Sequence, residues 1–117
     1  MPDQFKIVPG PAGESAMVFR LFGQLDSSSS LQIAELCAEA GKRGVALVLD
    51  LSGIEVIVSS GIGALLAAAE SMSELGPAFF LVSLSEPVDS VVRLLNLDAY
   101  LNIHSTEFEA ISSLKAA

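Results

Sequence analysis

Residues 45–69 read VALVLDLSGIEVIVSSGIGALLAAA, and the fold turns on them. The run Val45-Ala46-Leu47-Val48-Leu49 is short, apolar and rich in strand formers. It does not alternate between apolar and polar residues, so it predicts a strand buried on both faces, as in a parallel sheet. Asp50 ends the run, and Ser52-Gly53 reads as a turn. A short extended piece, residues 54–58, leads to Ser59-Ser60-Gly61. From there Ile62, Leu65, Leu66, Ala69 and Met72 recur at helical spacing. A strand thus delivers a serine pair to a helix N-terminus. The first amides of a helix lack internal partners, and the helix dipole adds partial positive charge there. A hydroxyl, or a phosphate carried on it, suits that position.

Upstream, residues 5–8 predict a first strand, closed by Pro9-Gly10-Pro11. Residues 15–22 predict a second, ended by Gly23. The turn formers of residues 10–14 join the two as an antiparallel hairpin. Asp26 and the four serines that follow offer N-caps for a helix with Ile33, Leu36, Cys37 and Ala40 on its apolar face. Gly41 reads as its terminator, with Lys42 and Arg43 beside the negative helix end. Downstream, residues 78–83 (AFFLVS) form another buried strand, and Ser85 and Pro87 open a helix with Val88, Val91, Val92 and Leu95 inward. Residues 100–103 predict a last short strand. Thr106 with Glu109 predicts a capping box for a terminal helix. Strands alternating with helices after a hairpin imply an α/β fold. We expect a mixed sheet of four to five strands with helices largely on one side, and one domain spanning residues 1–117.

Composition narrows the function classes. The chain carries 14 acidic and 6 basic residues, a net charge of −8, and 51% of its residues are hydrophobic. Nucleic acid and anionic membranes require a basic patch, which argues against both as partners. Residues 45–69 are the one candidate membrane span, but Asp50, Glu55 and three glycines interrupt them. Met1-Pro2-Asp3-Gln4 is not the start of a secretory signal. A single cysteine, Cys37, cannot form an internal disulfide. Together these point to a cytoplasmic protein without membrane insertion.

The usual chemistry of enzymes is missing. His104 is the one histidine, placed in a loop before the last helix, where a surface or capping role is expected. Cys37 lies on an apolar helix face and reads as core, and no Cys/His cluster suggests a metal. Gly61 and Gly63 lack the third glycine of a dinucleotide fingerprint and the Gly-Lys-Ser/Thr ending of a nucleotide loop. Asp50 reads as a hydrogen-bonded turn carboxylate. We therefore expect no enzyme, no cofactor and no catalytic residue.

The motifs carry a family resemblance. The run Leu47-Val48-Leu49-Asp50-Leu51-Ser52-Gly53-Ile54, followed by Ser59-Ser60-Gly61-Ile62-Gly63-Ala64-Leu65-Leu66, resembles the signature of the STAS domain of bacterial anti-sigma factor antagonists. Gly23-Gln24-Leu25-Asp26 resembles the family's Gly-x-Leu-Asp element. The likeness extends over residues 19–114 and implies the same mixed sheet. It implies a transcription regulator that docks on an anti-sigma factor, often also a serine kinase of the GHKL type. It further implies phosphorylation of the first serine of the motif, which here is Ser59. The family usually has Asp just before that serine, and this chain has Val58. The alternative is therefore a STAS scaffold that is never phosphorylated, or an accessory subunit of a transporter or signalling assembly. From the residues alone, Ser59 could equally be a plain helix cap. The helix after it offers a second clue, because residues 61–69 carry no charge. Its outer positions are expected to be the small residues Ala64, Ala67, Ala68 and Ser71, either a docking face or a surface covered by another element. The expected partner surface comprises Asp26, Ser59, Ser60, Gly61, Ala64 and Ala68.

Overall fold

The computed structural model describes residues 4–10, 13 and 15–115. The reading of the N-terminal leader at Met1 to Asp3, and of Pro11, Ala12 and Glu14 in the hairpin turn, lies outside the described residues.

Five strands form one sheet whose spatial order follows the chain. β1 (Lys6–Pro9) pairs antiparallel with β2 (Ala16–Leu25). β2, β3 (Ala46–Ile57), β4 (Phe79–Val82) and β5 (Ile103–His104) run parallel. The connections carry α1 (Ser27–Arg43), α2 (Ser59–Leu75) and α3 (Glu86–Leu94). A 3-10 turn, Leu97–Ala99, follows α3, and α4 (Glu107–Lys115) ends the described chain. Each crossover steps one strand in the same direction. With a common hand, that puts α1, α2 and α3 on one face of the sheet.

The core has two layers. Leu47, Leu49 and Leu51 of β3 point into the larger one, with Leu21, Leu25, Leu81, Ile33, Leu65, Met72 and Val88. Ala46 and Val48 point the other way, into a smaller layer with Val18, Phe80, Val82 and Ala110 of α4. β3 is therefore buried on both faces, as its unalternating sequence predicts. α4 is fixed at its start by Arg20, whose Nη2 lies 3.1 Å from Glu107 Oε1 and whose Nε lies 3.9 Å from Asp50 Oδ2.

Several local expectations change. β3 is one continuous strand through Ser52 and Gly53, without the expected turn. β2 does not stop at Gly23 but runs on to Leu25, with register shifts against β3 on both sides of Phe22 and Gly23. In each case hydrogen bonding to the neighbouring strand outweighs local turn preference, and the irregularity is absorbed as a bulge. Gly41 lies inside α1, and the left-handed cap is Gly44, with φ 68°. At Gly41 a Cβ would lie 2.8 Å from a methyl of Leu75, so that glycine makes room for α2. His104 is not in a loop: it belongs to β5, and its ring meets Phe80 edge-on at 5.2 Å. Ile62 and Leu66, which helical spacing groups with Leu65 and Met72 on one apolar face, are only half-buried, whereas Leu65 and Met72 are buried.

Candidate functional site

The site is built where β2 and β3 end side by side. Leu25 and Ile57 are register partners, so the chain leaves both strands at the same sheet edge and enters α1 and α2 there. The Val58 N–H donates to the Leu25 carbonyl at 3.2 Å. Gly61 closes the contact. A Cβ on it would lie 2.6 Å from the Leu25 carbonyl carbon, so only glycine lets the first turn of α2 settle against the end of β2. The Gly-x-Leu-Asp and Ser-Ser-Gly elements, 35 positions apart from Asp26 to Gly61, thereby form one surface.

Asp26 is the N-cap of α1. Its carboxylate accepts from the Ser28 N–H at 2.9 Å, from the Ser28 hydroxyl at 2.6 Å and from Gln24 Nε2 at 2.9 Å. Ser29 Oγ reciprocates by accepting the Asp26 N–H at 3.2 Å. The Ser28 hydroxyl bond is the main reason that the Asp26 carboxyl is held below its ordinary 3.8.

α2 begins differently. Its N-cap is Val58, which has no side-chain acceptor, and Ser59 and Ser60 occupy the first two helical positions. Ser59 is thus not the cap. The Gly61 and Ile62 amides both return to the Val58 carbonyl, at 2.9 and 3.1 Å. Among the described residues no partner is found for the amides of Ser59 and Ser60, and both serines are exposed. Open donors, a positive helix end and an accessible hydroxyl coincide at Ser59.

Ala64 and Ala68 do not belong to this surface. They are 5% and 4% exposed, packed in the seam between α1 and α2, where Cys37 Sγ lies 4.0 Å from the Ala68 carbonyl. Small side chains let the two helices approach closely, so the expected outer face is an inner one, covered by α1. Ala67 and Ser71 remain exposed. Two exposed apolar residues stand out at this end instead: Leu31, which the sequence reading passed over, and Val58, which it read only as a departure from the family's acid. Leu31, in the second turn of α1, is 70% exposed, and Val58 is 40% exposed. Leu31 falls off the Ile33–Cys37–Ala40 arc, which is the signal that could have found it.

The remaining candidates resolve as structure. Cys37 is buried, which pushes its thiol up and makes it a poor nucleophile. Asp50 Oδ1 accepts the Ser52 N–H at 2.9 Å. Among the described residues no group of three or more His, Cys, Asp or Glu side chains could hold a metal ion. Among them, too, no helix is long and apolar enough to cross a membrane.

Residues 8–110 match the STAS domain family profile. The chain belongs to the STAS domain family. A Thermotoga neapolitana protein that bears the name of an anti-sigma factor antagonist is 35% identical over 69 residues, 59% of this chain and 61% of that one. The chain thus spans about three fifths of the length of the curated relatives it matches. The crystal structure of a Thermotoga maritima protein named in the same way superposes with a TM-score of 0.74 at 26% identity, covering 93% of this chain and 94% of that one. The phosphorylated form of the Bacillus cell fate determinant SpoIIAA superposes at 0.66 with 23% identity, over 95% of this chain and 99% of that one, a likeness of fold. In this STAS domain, the two motifs that carried the resemblance meet at one sheet edge.

Proposed function

We propose that this STAS domain is a protein-binding switch of the anti-sigma factor antagonist type, controlled at Ser59. The observation that carries the reading is the open start of α2: an exposed hydroxyl on the first helical residue, beside unpaired amides and two exposed apolar side chains. The unmodified surface, formed by the Asp26 to Ser28 cap, Leu31, Val58, Ser59 and Ser60, would dock on an anti-sigma factor that is also a GHKL-type serine kinase. Phosphorylation adds about −1.5 to −2 charges. The helix N-terminus can hold that charge, so the fold tolerates it. An apolar contact through Val58 and Leu31 does not, because burying unpaired charge is costly. Binding would thus be lost without unfolding. Asp26 supports the surface by ordering the neighbouring helix start, and Gly61 by seating α2.

One observation favours a second reading. Val58 stands where the family usually has an acid, which would remove a kinase determinant and leave a STAS scaffold or accessory subunit that binds without being modified.

Mass spectrometry after incubation with the cognate kinase and ATP separates the two. The switch expects a single phosphate on Ser59 and weaker kinase binding by Ser59→Asp. Phosphate elsewhere, or none from a kinase active on another substrate, leaves the scaffold.

A further inference from the structure

α2 has a second open flank, away from Ser59. A groove of about 400 Å³ runs between α2 and the segment after α3, lined by Leu66, Ala69, Glu70, Ser73, Leu97 and Tyr100. It continues into a cavity of about 260 Å³ that shares Ala69, Ser73 and Tyr100 and reaches Pro77 and Asn102. Tyr100 is 73% exposed although it walls both. Leu94 and Leu95, just upstream on the chain, are exposed as well. The charge here is of one sign. Among the described residues Glu70 is the sole charged side chain lining either cavity, and the exposed Glu74 follows it one helical turn later, whereas Asp98 lines the neighbouring pocket beside Arg93. The nearest basic residue in the chain, Arg93, is held by Asp89 at 2.8 Å.

We propose that this groove docks one amphipathic helix of a partner protein, with apolar anchors one turn apart and lysine or arginine on its flanks. The groove-lining residues of α2, from Leu66 to Ser73, span roughly 10 Å, the length of two helical turns. That is the dimension of helix-in-groove recognition, in which anchors at i, i+3 or i+4, and i+7 enter an apolar cleft. The acidic rim selects the flanking charge and speeds encounter. The groove opens two turns beyond Ser59, and its use is independent of phosphorylation there.

The test uses the full chain, ¹⁵N-labelled, titrated with a four-turn amphipathic leucine–lysine peptide at physiological salt, with a leucine–glutamate peptide as its counterpart. Amide shifts should concentrate at Leu66, Ala69, Ser73, Leu97 and Tyr100. Ala69→Arg and Tyr100→Ala should each weaken binding by about tenfold or more, as loss of a central anchor does. Tyr100 is exposed enough for its truncation to leave the fold intact. Ala38→Arg, which adds the same charge at the exposed mouth of the α1/α2 cleft on the other flank of α2, should leave affinity unchanged. Shifts spread over the acidic surface at large, equal binding of the leucine–glutamate peptide, or equal losses in Ala38→Arg and Ala69→Arg would overturn the proposal. So would a neutral alkyl detergent monomer that gives the groove shifts when the peptide gives none, which assigns the groove to a lipid chain.

Discussion

The starts of α1 and α2 lie side by side at one sheet edge, and they are finished in opposite ways. α1 has an acidic cap, a reciprocating serine and a third bond from Gln24, so the Ser28 amide and the cap's own amide are held by side chains of the chain itself. α2 has a valine cap, two exposed serines and open amides. Both sit on adjacent parallel strands with the same surroundings, so the difference lies in side chains and not in architecture. A helix end closed by its own side chain stabilises the fold and has nothing left to offer. An end left open gives up about 1 kcal/mol of capping and keeps its donors for something else.

The contrast can be broken or sharpened by substitution. The largest effect should come from the seam that holds the two helices together. Ala68→Glu buries an unpaired charge between α1 and α2 and should cost about 3–5 kcal/mol in urea unfolding, enough to unfold the domain at moderate temperature. A stable, well-folded Ala68→Glu variant would show that the seam is open and that Ala68 is a surface residue after all.

Gly61→Ala should come next, at about 3 kcal/mol or more, because its methyl group meets the Leu25 backbone rather than a side chain that can move. Gly63→Ala is the matched control. Nothing lies within 4 Å of a Cβ there, so the gain in helix propensity should stabilise by about 0.5–1 kcal/mol. Opposite signs for two glycines in one helical turn would locate the constraint in the β2 contact.

Val58→Asp makes the two helix starts alike. It should raise stability by about 1 kcal/mol, read as a higher Tm, because the new carboxylate can accept the first-turn amides. An unchanged Tm would mean that those amides are already satisfied.

Acid should erase part of the contrast from the other side. The Asp26 carboxyl is held below 3.8 in the folded protein, so its contribution is present above that value and is lost as the pH falls through the lower folded value. The Tm of wild type should drop below about pH 4 by more than that of Asp26→Asn, which keeps a capping oxygen without the titration. Parallel pH curves for the two proteins would remove the linkage. The smallest effect is expected for Ser59→Ala, within about 0.5 kcal/mol of wild type, since that hydroxyl caps nothing. A clear loss of stability would make Ser59 a structural residue.

Much of this protein was legible in its residues. The apolar run of β3, the helical spacing after Ser59 and the order of strands and helices led to the correct fold class, because burial on one or both faces writes its period into the chain. The start of α1 was legible to within Asp26 and the four serines after it, since a cap acts within one turn of itself, and the structure selects Asp26 among them. Three things were decided only by tertiary structure. Ser52-Gly53 and Gly23 carry turn residues, yet both stay in strands because β2 and β3 pair on either side of the bulges that absorb them. Ala64 and Ala68 face inward while Ile62 and Leu66 are half-exposed. Alanine is nearly indifferent to burial, so its sequence position cannot say which side of α2 the neighbouring helix will occupy. And Ser59 rather than Val58 looked like the cap, because residue type marks a capping preference but the cap itself is a backbone position. That position is set here by the Leu25 carbonyl, which holds the Val58 N–H and leaves the serines one step inside the helix with their amides free.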